Sequence, residues 1–183
     1  MDSTDLSRVQ QRARLRYEWR RAWHALLGVV PVLVVVGAAC AFAHRPLSAL
    51  AFGVATLTVG AVMLWYGRDP QRAVLPGIAA GVVPLALALC ANRIGHVCTG
   101  DSCMMVCLPA CTLGGVVAGI AVASVGNQRR AGLGFWLSAS GLALLTGAMG
   151  CSCIGYAGVA GLAVGYAAGI VPGLLRKMPK EKA

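Results

Sequence analysis

Residues 104–125 read MMVCLPACTLGGVVAGIAVASV, a run without a single Asp, Glu, Lys, Arg or His. A helix of this length rises about 33 Å at 1.5 Å per residue, enough to cross the hydrocarbon core of a bilayer. Working outward, five further runs of the same kind appear, giving spans at 25–43, 47–66, 73–91, 104–125, 131–149 and 154–175. None of the six contains an acidic or basic side chain or a histidine. The composition agrees. Of 183 residues 58% are hydrophobic and 12% charged, with mean hydropathy +0.73, whereas a soluble domain is about half apolar and a quarter charged. These values exclude a soluble enzyme domain, a disordered regulator and a compact secreted disulfide scaffold. The expected fold is all-α: a polytopic membrane protein, a compact bundle of six transmembrane helices over 25–175. A basic arm (1–24) precedes the bundle and a basic tail (176–183) follows it.

The longest connection is 92–103; the others are a few residues each, which predicts that sequential helices are antiparallel neighbours. Basic residues predict the orientation, because cytoplasmic segments retain Lys and Arg. With the N-terminus inside, the inner segments hold Arg8, Arg12, Arg14, Arg16, Arg20, Arg21, Arg68, Arg72, Arg129, Arg130, Arg176, Lys177, Lys180 and Lys182. The outer segments hold only Arg45 and Arg93. Both termini are therefore expected on the cytoplasmic side of a bacterial inner membrane. Ala41-Phe42-Ala43 has the small-x-small form of a signal-peptidase site. The 24-residue basic region and long apolar run before it favour an uncleaved anchor.

In lipid, helices associate by close approach and hydrogen bonding, and small residues at four-residue spacing permit that approach. Gly161, Gly165, Gly169 and Gly173 form such a stripe on the last span, Gly115 and Gly119 on the fourth, and Gly77 and Gly81 on the third. Internal packing is the favoured use of the sixth-span stripe. The alternative is a homo-oligomer or membrane-complex interface through that helix. Prolines 31, 76, 84, 109 and 172 fall inside spans, where each removes a backbone donor. Residues 25–91 and 104–175 show no convincing repeat of the kind transporters carry. The absence of charge at membrane depth argues against proton-coupled transport and voltage sensing. Polar content there is limited to residues such as Thr56, Thr58, Thr112, Ser124, Ser138, Ser140 and Thr146, expected to bond to neighbouring helices or their own backbone.

All eight cysteines fall on the outer side of this topology. Cys98, Cys103, Cys151 and Cys153 lie in the outer connections, Cys40 and Cys90 near the outer ends of the first and third spans, and Cys107 and Cys111 one and two turns down the fourth. An even set facing an oxidising compartment is expected to be largely disulfide-bonded. Cys151 and Cys153 are too close for an easy mutual bridge, which favours a link to Cys98 or Cys103, while Cys40 and Cys90 match the depth of Cys107 and Cys111. Three readings follow. Stapling of the outer face leads, making the chain a non-enzymatic scaffold or assembly component. A soft-metal site for copper or zinc, or a transporter of such an ion or another small solute, is the alternative. It would draw on Cys103, Cys107, Cys111, Met104, Met105, Met149 and His96, although the spacings match no closed zinc motif. Thiol-disulfide exchange comes third, since no Cys-x-x-Cys pair is present. No catalytic residues emerge.

Arg8, Arg12, Arg16 and Arg20 recur at four-residue spacing, with Arg21 adjoining and Trp19 and Trp23 near the membrane boundary. The pattern predicts a helix on anionic lipid headgroups. Nucleic-acid binding fits less well, because the arm is membrane-tethered and carries no recognisable DNA-binding motif.

Overall fold

The structure, a computed structural model, describes residues 19, 23, 30–41, 46–66, 69–94, 101–152 and 155–175. The basic stripe Arg8, Arg12, Arg16, Arg20 and Arg21, the tail 176–183, His96, Cys98 and Cys153 lie outside these residues. So do the side chains of Cys103, Met104 and Met105. Trp19 and Trp23 are exposed.

Every described element is a helix or a turn. The helices are α1 (Val30–Ala41), α2 (Pro46–Tyr66), α3 (Asp69–Ile94), α4 (Asp101–Gln128), α5 (Leu133–Cys151) and α6 (Tyr156–Leu175). Among the described residues, α2 to α6 are each long and apolar enough to cross a membrane, and α1 is a shorter apolar helix. The chain is a multi-pass, all-helical membrane protein. The expected spans 47–66, 73–91, 104–125, 131–149 and 154–175 each lie on one of these helices, with ends within a few residues. The flanks of the first span, 25–29 and 42–43, fall outside the described residues. Both ends of the expected 92–103 connection are helical, because α3 runs on to Ile94 and α4 starts at Asp101.

The interior mixes small residues with large ones such as Leu142, Met149 and Leu162, while many large aliphatic side chains face outward. The small residues inside include Ala39, Ala49, Ala73, Ala88, Ala118, Ala139 and Ala143, all buried. Those facing outward include Leu75 at 70%, Leu137 at 70% and Val164 at 68% exposure. Surrounded by lipid, helices gain little from hiding leucine and more from bringing backbones together.

Sequential helices are neighbours as the short connections led one to expect, α3 on α4 most closely, but they are not the tightest pairs. The tightest pairs are α4 with α6 and α3 with α5, each two steps apart in the chain. A Cβ added to Gly115 would lie 2.5 Å from the Leu162 carbonyl oxygen, and one on Gly119 would strike the Tyr166 backbone. From the other side, Gly165 abuts Thr112, Gly169 abuts Val116 and Gly173 abuts Ala123. The partner numbers rise together, so α4 and α6 run parallel. The same holds for α3 and α5: Gly77 meets Ala139, Gly81 meets Ala143, and Gly150 meets Ala88. Gly161 touches only side-chain atoms of Leu108 and Thr112. The stripe on α6 is therefore covered by α4, in line with internal packing, and α6 turns Val164 and Val171 outward.

Short connections make each hairpin antiparallel, so two adjacent hairpins laid side by side place alternate helices in parallel contact. Pro84 on α3 wedges against Gly114 of α4 and Gly147 of α5, tying the pairs together. Tyr166 adds a cross-helix bond, its hydroxyl donating to Ser140 Oγ at 2.8 Å. Thr56, Thr58, Thr112 and Ser124 bond to carbonyls of their own helices, at Phe52, Val54, Leu108 and Ala121. Thr146 differs: its hydroxyl is buried with no partner among the described residues.

Candidate functional site

Alternating helix direction brings the C-terminal ends of α1, α3 and α5 to the N-terminal ends of α2, α4 and α6. Cys40, Cys90, Cys107, Cys111 and Cys151 consequently share one end of the bundle. Arg72, Arg129 and Arg130 share the other, while Arg93 stands in the last turn of α3 at the cysteine end.

Cys107 and Cys111 are one helical turn apart on the inward face of α4. That face continues through Gly114, Gly115, Ala118 and Gly119. Cys151 is the last residue of α5 and follows Gly150, whose missing side chain lets α5 approach Leu85 and Ala88 of α3. The chain beyond is fastened. Ser152 donates from its backbone N–H to the Ala148 and Gly150 carbonyls and from its hydroxyl to the Met149 carbonyl at 3.1 Å. Its hydroxyl also lies 3.3 Å from Ser48 Oγ on α2. Gly155 then takes φ +77°, a left-handed conformation suited to glycine, and its N–H reaches the Ser152 carbonyl.

These constraints hold Cys151 against Cys111, and the two side chains are hydrogen-bonded. Both are fully buried in a cluster with Ala88, Ala148 and Leu162, against which Phe52, Leu144 and Val159 pack. Residues of α2, α3, α4, α5 and α6 therefore converge on one thiol pair. Its neighbours in this cluster are all apolar, the setting of a packed cysteine rather than of a thiol beside a positive group.

Of the wider constellation expected from the sequence, Cys40, Cys90, Cys107, Cys111, Cys151 and Met149 have described side chains. None of Cys40, Cys90, Cys107, Cys111 and Cys151 is disulfide-bonded, so among the described cysteine side chains there is no disulfide. Cys151 meets Cys111; the outer-loop partners expected for it, Cys98 and the Cys103 side chain, lie outside the described residues. Cys40 packs against a second cluster that includes Val36 and Leu142, and Cys90 is exposed. Met149 belongs to that second cluster too. Its sulfur faces Gly53 on α2, 3.6 Å from where a Cβ would sit. Among the described residues, no group of three or more His, Cys, Asp or Glu is placed to hold a metal ion. The pairing of Cys111 with Cys151 was partly readable, since Cys107 and Cys111 fall on the glycine-bearing face. The depth of Cys151 was not.

Comparison with protein-family models, with curated proteins and with solved structures finds no match to this chain.

Proposed function

We propose that the chain is a non-enzymatic membrane scaffold or assembly component, lying in a bacterial cytoplasmic membrane with both termini inside. The observation supporting this reading is the backbone-to-backbone seating of α3 on α5 and α4 on α6. Helices in such contact cannot slide or separate without losing their packing along several turns. A rigid core suits a protein whose task is to present fixed surfaces to neighbours. It suits alternating access poorly, since that requires one bundle to rock against another. The basic arm then lies on anionic headgroups, and the cysteine end faces the oxidising compartment.

The thiol pair favours one second reading: cross-linking at the cysteine end, with Cys111 and Cys151 as the bond formed. Their direct contact is the specific observation behind it. A soft-metal site or carrier has less support, because Met149 belongs to a different cluster from Cys111 and Cys151.

Metal analysis and flux separate these readings. The scaffold reading expects substoichiometric copper and zinc in the purified chain. It also expects proteoliposome uptake of copper(I) or zinc no faster than in empty vesicles. Saturable uptake that is lost in Cys111→Ser or Cys151→Ser would overturn it.

A further inference from the structure

We propose that Arg72 and Arg129 form a binding site for the phosphate of an anionic phospholipid, at the end of the bundle opposite the cysteines. The two arginines come from different segments, the first turn of α3 and the turn after α4, yet they line one pocket of about 390 Å3 with Ala131 and Phe135.

Helix geometry explains why they meet. Pro76 has no N–H, so the Arg72 carbonyl four residues earlier loses its partner within α3. The guanidinium of Arg129 supplies one, donating to that carbonyl at 3.3 Å across the bundle. This uses one of the five N–H donors of the guanidinium and leaves the others to face the pocket. The connection itself is held in an unusual shape. Arg130 has φ +48°, a left-handed conformation that glycine normally fills, and the turn closes through Ala131 N–H to the Gly126 carbonyl at 3.0 Å. A non-glycine residue kept there at an energetic cost is what a functional loop looks like.

The surrounding field also favours an anion. The N-terminal ends of α3 and α5 lie at this level and Gly132 gives α5 no side-chain cap, but the C-terminal ends of α2, α4 and α6 oppose them, so the net bias comes from the arginines. Residues 67–72 and 126–133 contain four arginines against one carboxylate, that of Asp69. Guanidinium pairs bind phosphate through directed, charge-assisted hydrogen bonds.

A lipid phosphate, rather than a soluble one, is indicated by what lies within the first two turns of the same helices. Leu75 is 70% exposed on α3, Leu133 is 78% and Leu137 70% exposed on α5, and Phe135 closes the pocket from inside the bundle. Acyl chains lie along such a surface while the headgroup occupies the pocket. A free phosphate would gain nothing from it.

Native mass spectrometry of the full chain in a neutral detergent tests the proposal, with dioleoylphosphatidylglycerol as the probe. The wild type should retain this lipid in preference to dioleoylphosphatidylcholine. Arg72→Gln with Arg129→Gln should lower its occupancy about tenfold. Arg176→Gln with Lys177→Gln removes equal charge from the tail and should change occupancy by less than about twofold. Arg72→Gln alone keeps the backbone carbonyl that Arg129 uses, so it preserves the turn and should still weaken binding. Equal loss in the tail variant, or wild-type occupancy in Arg72→Gln, would overturn the site. Displacement of the lipid by millimolar inorganic phosphate would show a soluble-anion site and overturn the lipid assignment.

Discussion

Replacing Gly115 by alanine adds one methyl group, and the structure determines what that methyl must displace. Its carbon would sit 2.5 Å from the Leu162 carbonyl oxygen and 2.8 Å from the Tyr166 backbone nitrogen. An ordinary carbon-to-oxygen contact is about 3.3 Å or longer, so α4 and α6 must separate locally by about 0.8 Å. Both obstructing atoms are backbone, and no rotamer change can relieve them. A gap of that size forfeits roughly a quarter to a half of the dispersion energy of the contacts it opens. Overpacking of this kind costs about 1–3 kcal/mol. Against it stands the better helix propensity of alanine, about 1 kcal/mol. The net expectation is a loss of up to about 2 kcal/mol. Gly141 on α5 is the internal control, since a Cβ there meets nothing within 4 Å. Gly141→Ala should be neutral or stabilise by up to about 1 kcal/mol. Reversible unfolding in mixed micelles, titrated with a denaturing detergent and followed by helicity, measures both. The two alanines should move the midpoint in opposite directions. If Gly115→Ala is as stable as Gly141→Ala, the parallel seating of α4 on α6 is wrong.

Three further outcomes follow from single residues and are read in the same assay. Arg130→Gly removes a side chain from a left-handed position and should stabilise by about 1 kcal/mol; a loss of stability would mean the strain lies elsewhere. Thr146→Val replaces a buried hydroxyl that has no partner among the described residues, and should stabilise by about 1 kcal/mol. Destabilisation of more than about 1 kcal/mol would show that the hydroxyl is bonded after all. Arg129→Ala should cost about 1 kcal/mol in the wild type and less in Pro76→Ala, where α3 supplies its own donor to the Arg72 carbonyl. Costs that add within about 0.3 kcal/mol would refute the link.

The positions of the helices were legible in the sequence because the requirement is severe. A segment such as 104–125, with no charge over its whole length, has few other places to be. The glycine stripes were legible as packing faces, since Gly161 through Gly173 can serve only a close neighbour. Their partner was not, because helices that are apolar on every side carry little amphipathic signal to say which face meets which helix. Short loops pointed to sequential neighbours, yet α4 seats on α6 because the glycines of both helices interleave in parallel.

The cysteines show the same limit. Counting turns places Cys107 and Cys111 on one face and at one end. Bringing Cys151 level with Cys111 depends on where α5 stops, which Ser152 and Gly155 settle through local hydrogen bonds. At the opposite end, the meeting of Arg72 and Arg129 rests on a carbonyl that Pro76 leaves without a donor. Proline was visible as a bend signal, but the residue that compensates for it lies across the bundle.

The arrangement of two parallel pairs is tested most directly at the thiols it brings together. Full-length protein in native membranes is treated with a membrane-permeant oxidant, remaining thiols are blocked, and disulfide-linked peptides are mapped by mass spectrometry. The packing described here yields a bond between Cys111 and Cys151. Linkage of Cys151 to Cys98 or Cys103, linkage of Cys111 to Cys40 or Cys90, or complete alkylation of both Cys111 and Cys151 after oxidation would contradict it.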